Sequence, residues 1–325
     1  MLLAGDVGGT KALLGLFLDG PGRPKLVDAR VFATGDYAGL GEVVDAFLAA
    51  QPSAVTPLTA ASFGVAGPIV NQVARLTNVP WVVDASAVAS RFRIPIVTLL
   101  NDLQAMAYSV AVLEPDELAI VQPGRAEPTG NAALIAAGTG LGEALLHRVG
   151  GRFIPSPTEG GHADFAPRTA DEVALLWHLA GRFGRADYEH VISGPGLVNI
   201  HRFTHPAGCA ACGVEAGQDA APSRISAAAL ERRCPGCVRA LGFFVSIYGA
   251  EAGNLALRSV ATAGVFVGGG IAPKILPALQ DGRFIEAFRA KAPMDDFLAR
   301  VPVSVILNDR AGLLGAAVHA GMSSR

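Results

Sequence analysis

Near the start of the chain, Asp6-Val7-Gly8-Gly9-Thr10 sets an acid, a glycine pair and a hydroxyl between two apolar runs. Glycines in such a corner commonly supply only the positive φ of a hairpin turn. An acid two residues before the pair can also hold a Mg²⁺-bound water, and a second corner, Gly138-Thr139-Gly140, repeats the glycine-threonine plan without the acid. Two turns lined by backbone amides and converging on one anion form a nest for phosphates. A third cluster, Gly268-Gly269-Gly270, follows an apolar run and precedes a helical pattern. Bare backbone there admits a flat ligand, and a helix start favours anions; close helix–strand packing would need the same glycines. Neither G-x-x-x-x-G-K-[ST] nor a helix-opening G-x-G-x-x-G occurs, which excludes the P-loop and Rossmann phosphate schemes.

Three further groups suit chemistry. Asp102 follows the apolar run IPIVTLL and Asn101, so it projects from a strand end at a helix start, a common N-cap position. Glu159 and His162 stand three residues apart across two glycines, where both side chains can turn toward one polyol. The four cysteines fall in two pairs, Cys209/Cys212 and Cys234/Cys237, with 21 residues between them. That is just beyond the usual C-x₂-C…C-x₂-C zinc spacing and points to a closed structural Zn²⁺ site. Reduced thiols packed as small hydrophobes and two local disulfides are the alternatives.

The elements that must position these residues alternate in type. Apolar or β-branched runs predict strands at 2–7, 12–18, 60–66, 95–100, 133–137, 142–148, 264–268 and 301–307. Helical periodicity covers 40–50, 102–112, 171–184, 225–258, 273–291 and 311–321. The mixture predicts an α/β fold. The segment 204–224 reads as an inserted loop. LLAGDVGGTKALLGLF and ALIAAGTGLGEALLHRV share a strand–turn–strand plan, which predicts two related halves that each offer one turn to a shared interdomain cleft.

With 325 residues, 51% of them hydrophobic and 17% charged, the chain is long and apolar enough for two domains with large cores. A net charge of −2 gives no electrostatic reason to expect nucleic acid or an acidic membrane as partner. No secretory pattern precedes the first strand, and the most apolar stretch, 240–257, is interrupted by Glu251 and glycines. The expected setting is cytoplasmic.

With Asp6–Thr10 as first phosphate turn, Gly138–Gly140 as second and the triple glycine as adenosine motif, the chain resembles the superfamily of sugar kinases, actin and heat-shock chaperone ATPases. The stretches GVAGPI (64–69), TNVPW (77–81), NDLQA (101–105), EGGHADFAP (159–167), VISGPGLVN (191–199), GNLAL (253–257) and AGLLGA (311–316) resemble the bacterial glucokinase family, in order and over nearly the whole chain. The resemblance implies duplicated ribonuclease-H-like domains: a small α/β domain at 1–112 plus 303–325, and a large one at 113–302 with a cysteine-containing insertion at 204–237. It implies ATP and Mg²⁺ as cofactors, with Gly5, Asp6, Val7, Gly8, Gly9, Thr10, Gly138, Thr139, Gly140, Gly269 and Gly270 binding the nucleotide. It further implies Asp102 as the base, with Asn101, Glu159, His162 and Glu189 on glucose, closure on sugar binding, and a homodimer.

Two departures stand out. In the related repressor-kinase family a histidine after the Glu-Gly pair binds zinc with cysteines close behind, but here no cysteine follows His162 for over forty residues. Lys11 also matches that family, where glucokinases commonly carry Asn, so a kinase for another hexose or an N-acetylhexosamine is the nearest alternative. A sugar-sensing repressor would need a helix-turn-helix ahead of the first strand, where only Met1 stands. A chaperone-like ATPase would give no reason for the polar set at 101, 102, 159, 162 and 189.

Overall fold

The computed structural model describes residues 1–51, 57–76 and 79–324; Thr77 and Asn78 of the TNVPW stretch lie outside them. In chain order the strands are β1 (Leu2–Val7), β2 (Lys11–Leu18), β3 (Lys25–Ala33), β4 (Ala60–Val65), β5 (Ile69–Val70), β6 (Val73–Arg75), β7 (Val82–Asp84), β8 (Val97–Asn101), β9 (Leu118–Gln122), β10 (Ala132–Ala137), β11 (Leu141–Val149), β12 (Arg152–Thr158), β13 (Gly208–Cys209), β14 (Val214–Glu215), β15 (Gly264–Gly268) and β16 (Val303–Ile306). The helices are α1 (Leu40–Ala49), α2 (Ala85–Phe92), α3 (Asp102–Ser109), α4 (Ala170–Phe183), α5 (Gly194–Thr204), α6 (Pro222–Leu230), α7 (Pro235–Ser259), α8 (Leu276–Leu279), α9 (Arg283–Arg289), α10 (Asp295–Arg300) and α11 (Ala311–Ser323). One unit comprises Met1–Pro115, Arg152–Pro157 and Asn308–Arg325, the other Asp116–Gly151 and Thr158–Leu307.

The first sheet has the order β3-β2-β1-β4-β8. Strand β1 pairs antiparallel with β2 and parallel with β4. Its side chains alternate between two cores, which is why it reads as an unbroken apolar run. Leu3 packs among Val43, Phe47 and Phe63, with α1 and α2, while Leu2 and Ala4 pack among Leu100, Leu313 and Ala316, with α3 and α11. The second sheet has the order β12-β11-β10-β15-β16-β9. Fully buried β10 pairs antiparallel with β11 and parallel with β15, and β15 pairs parallel with β16. The same five-strand plan thus occurs twice, and the hairpin echo in the sequence is its visible part.

Several elements differ from the sequence reading. The helix expected over 225–258 is two, because Pro235 cannot continue α6 and instead starts α7 at its first turn. The pattern at 273–291 is a 3₁₀ turn followed by the short helices α8 and α9. Loop 204–224 contains the small β13–β14 hairpin. The apolar stretch expected to fall short of a membrane span lies in α7, 25 residues long and apolar enough by length and composition to cross one. Most of it, 72% of the apolar window, is instead buried inside the protein.

Helix α11 lies close on α3 because Gly315 carries no side chain: a Cβ there would stand 1.7 Å from the Ala105 carbonyl oxygen. Gly315→Ala should therefore lower unfolding free energy by about 1–3 kcal/mol, as overpacking does. Gly39→Ala, at a position with nothing within 4 Å, serves as control. Equal denaturation midpoints for the two variants would contradict this account of the α3–α11 packing.

Candidate active site

In the first unit the β1–β2 turn spans Gly8, Gly9 and Thr10, and Gly8 N–H donates to the Lys11 carbonyl at 3.0 Å. Thr34 Oγ1 donates to Gly9 O at 2.9 Å and fixes the turn from outside. Asp6, one residue before the end of β1, lies under the start of α11, where a Cβ on Gly312 would come within 2.9 Å of its carboxylate. Burial, with the Asp102 charge adding to it and Lys11 opposing, pushes the Asp6 carboxyl up to about 6. Asp102 opens α3, but the cap is Asn101, whose Oδ1 accepts the Leu103 N–H at 2.9 Å. Asp102 Oδ1 accepts the same N–H at 2.8 Å. The N-cap reading of Asp102 thus moves one residue upstream, and Asp102 stays exposed.

In the second unit the β10–β11 turn spans Gly138, Thr139 and Gly140. Gly138 N–H donates to Gly140 O, and the Gly194 N–H at the start of α5 donates to Gly138 O, both at 2.8 Å. The Glu189 carboxylate accepts the Leu141 N–H at 2.9 Å, and a Cβ on Gly140 would fall 2.5 Å from it. Segment 159–164 is zipped to 186–189 by Glu189 N–H to Gly161 O at 2.8 Å and Tyr188 N–H to Ala163 O at 3.1 Å. Gly161 also presses on β11, where a Cβ would meet the Leu141 oxygen at 2.2 Å. Glu159, His162 and Glu189 are thereby gathered around the first residues of β11. Gly269, at φ +84°, crosses the end of β10, where a Cβ would lie 2.3 Å from Ala137 O. The triple glycine therefore serves close packing beside the second turn, and the helix it opens is one short 3₁₀ turn.

The structure adds residues the sequence reading missed. Asp187, 6% exposed, faces His162 Nδ1 at 3.4 Å, accepts the His190 N–H at 2.9 Å and lies near Arg185. It orients the His162 ring; its only sequence signal is an acid two residues before Glu189. Beneath Gly160 lies a pair of buried acids, Glu143 and Glu251. Glu251 accepts Arg258 Nη1 and Asn254 Nδ2, each at 2.7 Å. Burial first, and then Glu251, push the Glu143 carboxyl up to about 8. Held as the neutral acid, it can donate to Glu251.

All four cysteines are free thiols, clustered with His201 and His205. The disulfide alternative is therefore not what the structure contains. The histidines were missed because 204–224 read as loop.

Two copies of one sheet plan, each with a glycine turn after its first inner strand, define a sugar kinase of the actin-like ATPase fold. A family profile described as Glucokinase matches residues 3–322. The chain is 37% identical to a glucokinase of Nostoc sp. (strain PCC 7120) and 38% identical to one of Nostoc punctiforme, over 98% of each protein in both cases. A crystal structure of glucokinase from an Antarctic psychrotroph is similar with a TM-score of 0.88 and 30% identity, over 98% of both chains. The chain belongs to the glucokinase family, and its activity is the ATP-dependent phosphorylation of glucose, which uses a divalent metal ion.

The raised Glu143 pKa sets a pH dependence. Its stabilising contribution is full below the unfolded value near 4.5 and is lost as pH rises through about 8. Between pH 6 and 9 the parent should lose more thermal stability than Glu143→Gln, which keeps a donor toward Glu251. Parallel Tm curves for the two proteins would remove Glu143 as the buried neutral acid.

Proposed function

We propose that this glucokinase transfers the ATP γ-phosphoryl group to the 6-hydroxyl of D-glucose with Asp102 as general base. The observation that carries the assignment is the division of roles at the start of α3. Asn101 caps the helix, which leaves the Asp102 carboxylate exposed at the end of β8 and within the electrostatic reach of Asp6. A carboxylate so placed takes the hydroxyl proton as the sugar oxygen attacks phosphorus. Asn101, Glu159, His162 and Glu189 hold the sugar hydroxyls, with Asp187 orienting His162. Glu189 spends Oε2 on the Leu141 N–H, so Oε1 is the oxygen it offers. A sugar lacking one of those hydroxyls strands a polar partner, which makes selectivity steep.

The turns Gly5–Thr10 and Gly138–Gly140 hold phosphates through backbone amides, and Gly269 and Gly270 take the adenosine. The divalent ion is Mg²⁺. The pairing of Asp6 with Asp102 fits it, since two acids in mutual repulsion favour a hard cation, held also by phosphate oxygens and waters. When bound, it neutralises phosphate charge. The cysteine cluster is a separate, structural zinc site. The compartment is the cytoplasm and the assembly a homodimer, in keeping with the family resemblance.

Asp102→Asn should lower kcat at least ~10²-fold with little change in KM for glucose, the range for loss of a general base. Turnover within a few-fold of the parent would remove Asp102 from the mechanism. Across a hexose panel at fixed ATP, kcat/KM should be highest for glucose; a higher value for mannose, fructose or N-acetylglucosamine would reassign the substrate.

A further inference from the structure

We propose that one zinc ion is held by His205 Nε2 and the sulfurs of Cys209, Cys234 and Cys237, with Cys212 outside the ligand set. This rests on reading the cysteine cluster as a zinc site, and it replaces the four-cysteine set that the sequence spacing suggests.

Geometry separates the two sets. Tetrahedral zinc with ~2.3 Å bonds to sulfur and ~2.0–2.1 Å bonds to nitrogen spaces its ligands about 3.8 Å apart for sulfur pairs and about 3.6 Å for sulfur and nitrogen. Here Cys209 Sγ lies 3.9 Å from Cys234 Sγ and 3.7 Å from Cys237 Sγ. His205 Nε2 lies 3.2 Å from Cys234 Sγ and 3.8 Å from Cys237 Sγ. These four atoms all lie within 4.8 Å of one another. Cys212 joins a different group, with His201, Cys209 and Cys237. Its sulfur stands 3.6 Å from Cys237 Sγ, where a thiol can donate to a metal-bound thiolate.

The surroundings of His205 agree. Its Nδ1 lies 3.2 Å from the His201 carbonyl oxygen and 2.9 Å from Thr204 Oγ1. An Nδ1–H held by a carbonyl leaves Nε2 as the lone-pair nitrogen facing the sulfurs, the arrangement that orients metal-binding histidines. Gly236 leaves room for the ring, since a Cβ there would come 2.5 Å from Nε2. Three thiolates and one imidazole suit zinc, and a site with Cys209 and Cys237 buried is closed and therefore structural. It ties the end of α5, the β13 strand and the start of α7 together. His201 is the competing ligand: its Nε2 is buried without a hydrogen-bond partner, yet no sulfur lies within hydrogen-bond distance of it among the described contacts.

The test measures zinc per chain after purification without added metal, and zinc release to a colorimetric chelator. The parent and Cys212→Ser should each carry one zinc per chain with similar release. His205→Ala should release it at least ~10-fold more readily, and His205→Cys, which restores a donor, should return retention toward the parent. If His205→Ala does not fold, His205→Cys against Cys212→Ser decides. Zinc lost in Cys212→Ser but kept in His205→Ala would overturn this ligand set while leaving a zinc site. Two ions per chain would overturn the single-ion reading, and no zinc in the parent would overturn the site altogether.

Discussion

Ala137 and Leu141, the residues on either side of the second glycine turn, each have another stretch of backbone pressed against their carbonyl oxygens. Gly269 rests on the first and Gly161 on the second, at distances no Cβ would permit. One hairpin end thereby becomes the docking point for the triple glycine and for the loop bearing Glu159 and His162. The Glu189 carboxylate completes the junction by bonding the Leu141 amide. Positions far apart in sequence share one short piece of strand, and the spacing among them is set by backbone contacts rather than by flexible side chains.

Charge is handled differently in the two units. In the first, Asp6 and Asp102 raise each other's cost of ionisation beside an exposed lysine, and a cation relieves that cost. In the second, Glu143 and Glu251 sit under the sugar-side loop with Arg258 and Asn254, and a shared proton does the relieving. Acid pairs of this kind hold their geometry only in one protonation state.

Inner strands were legible because both of their faces are buried, so β1, β10 and β15 read as plain apolar runs. β3 was not: as an edge strand it is largely exposed and carries Lys25, Asp28 and Arg30. α5 was hidden by its glycine- and proline-rich first turn, and the α6–α7 break by apolar periodicity that continues across it. At the site, glycine spacing exposed both turns. Glu143, Asp187 and His205 left no comparable trace, since each acquires its role from a neighbour distant in sequence.

Helix α7 is synthesised before α9, β15 and β16, and α9 is its most extensive partner. The emerging polypeptide therefore carries a bare greasy rod of seven turns until the remaining segments leave the ribosome. Anchoring the first turn of that rod early, at the cysteine end, would restrain it during the interval in which newly made chains most readily clump together.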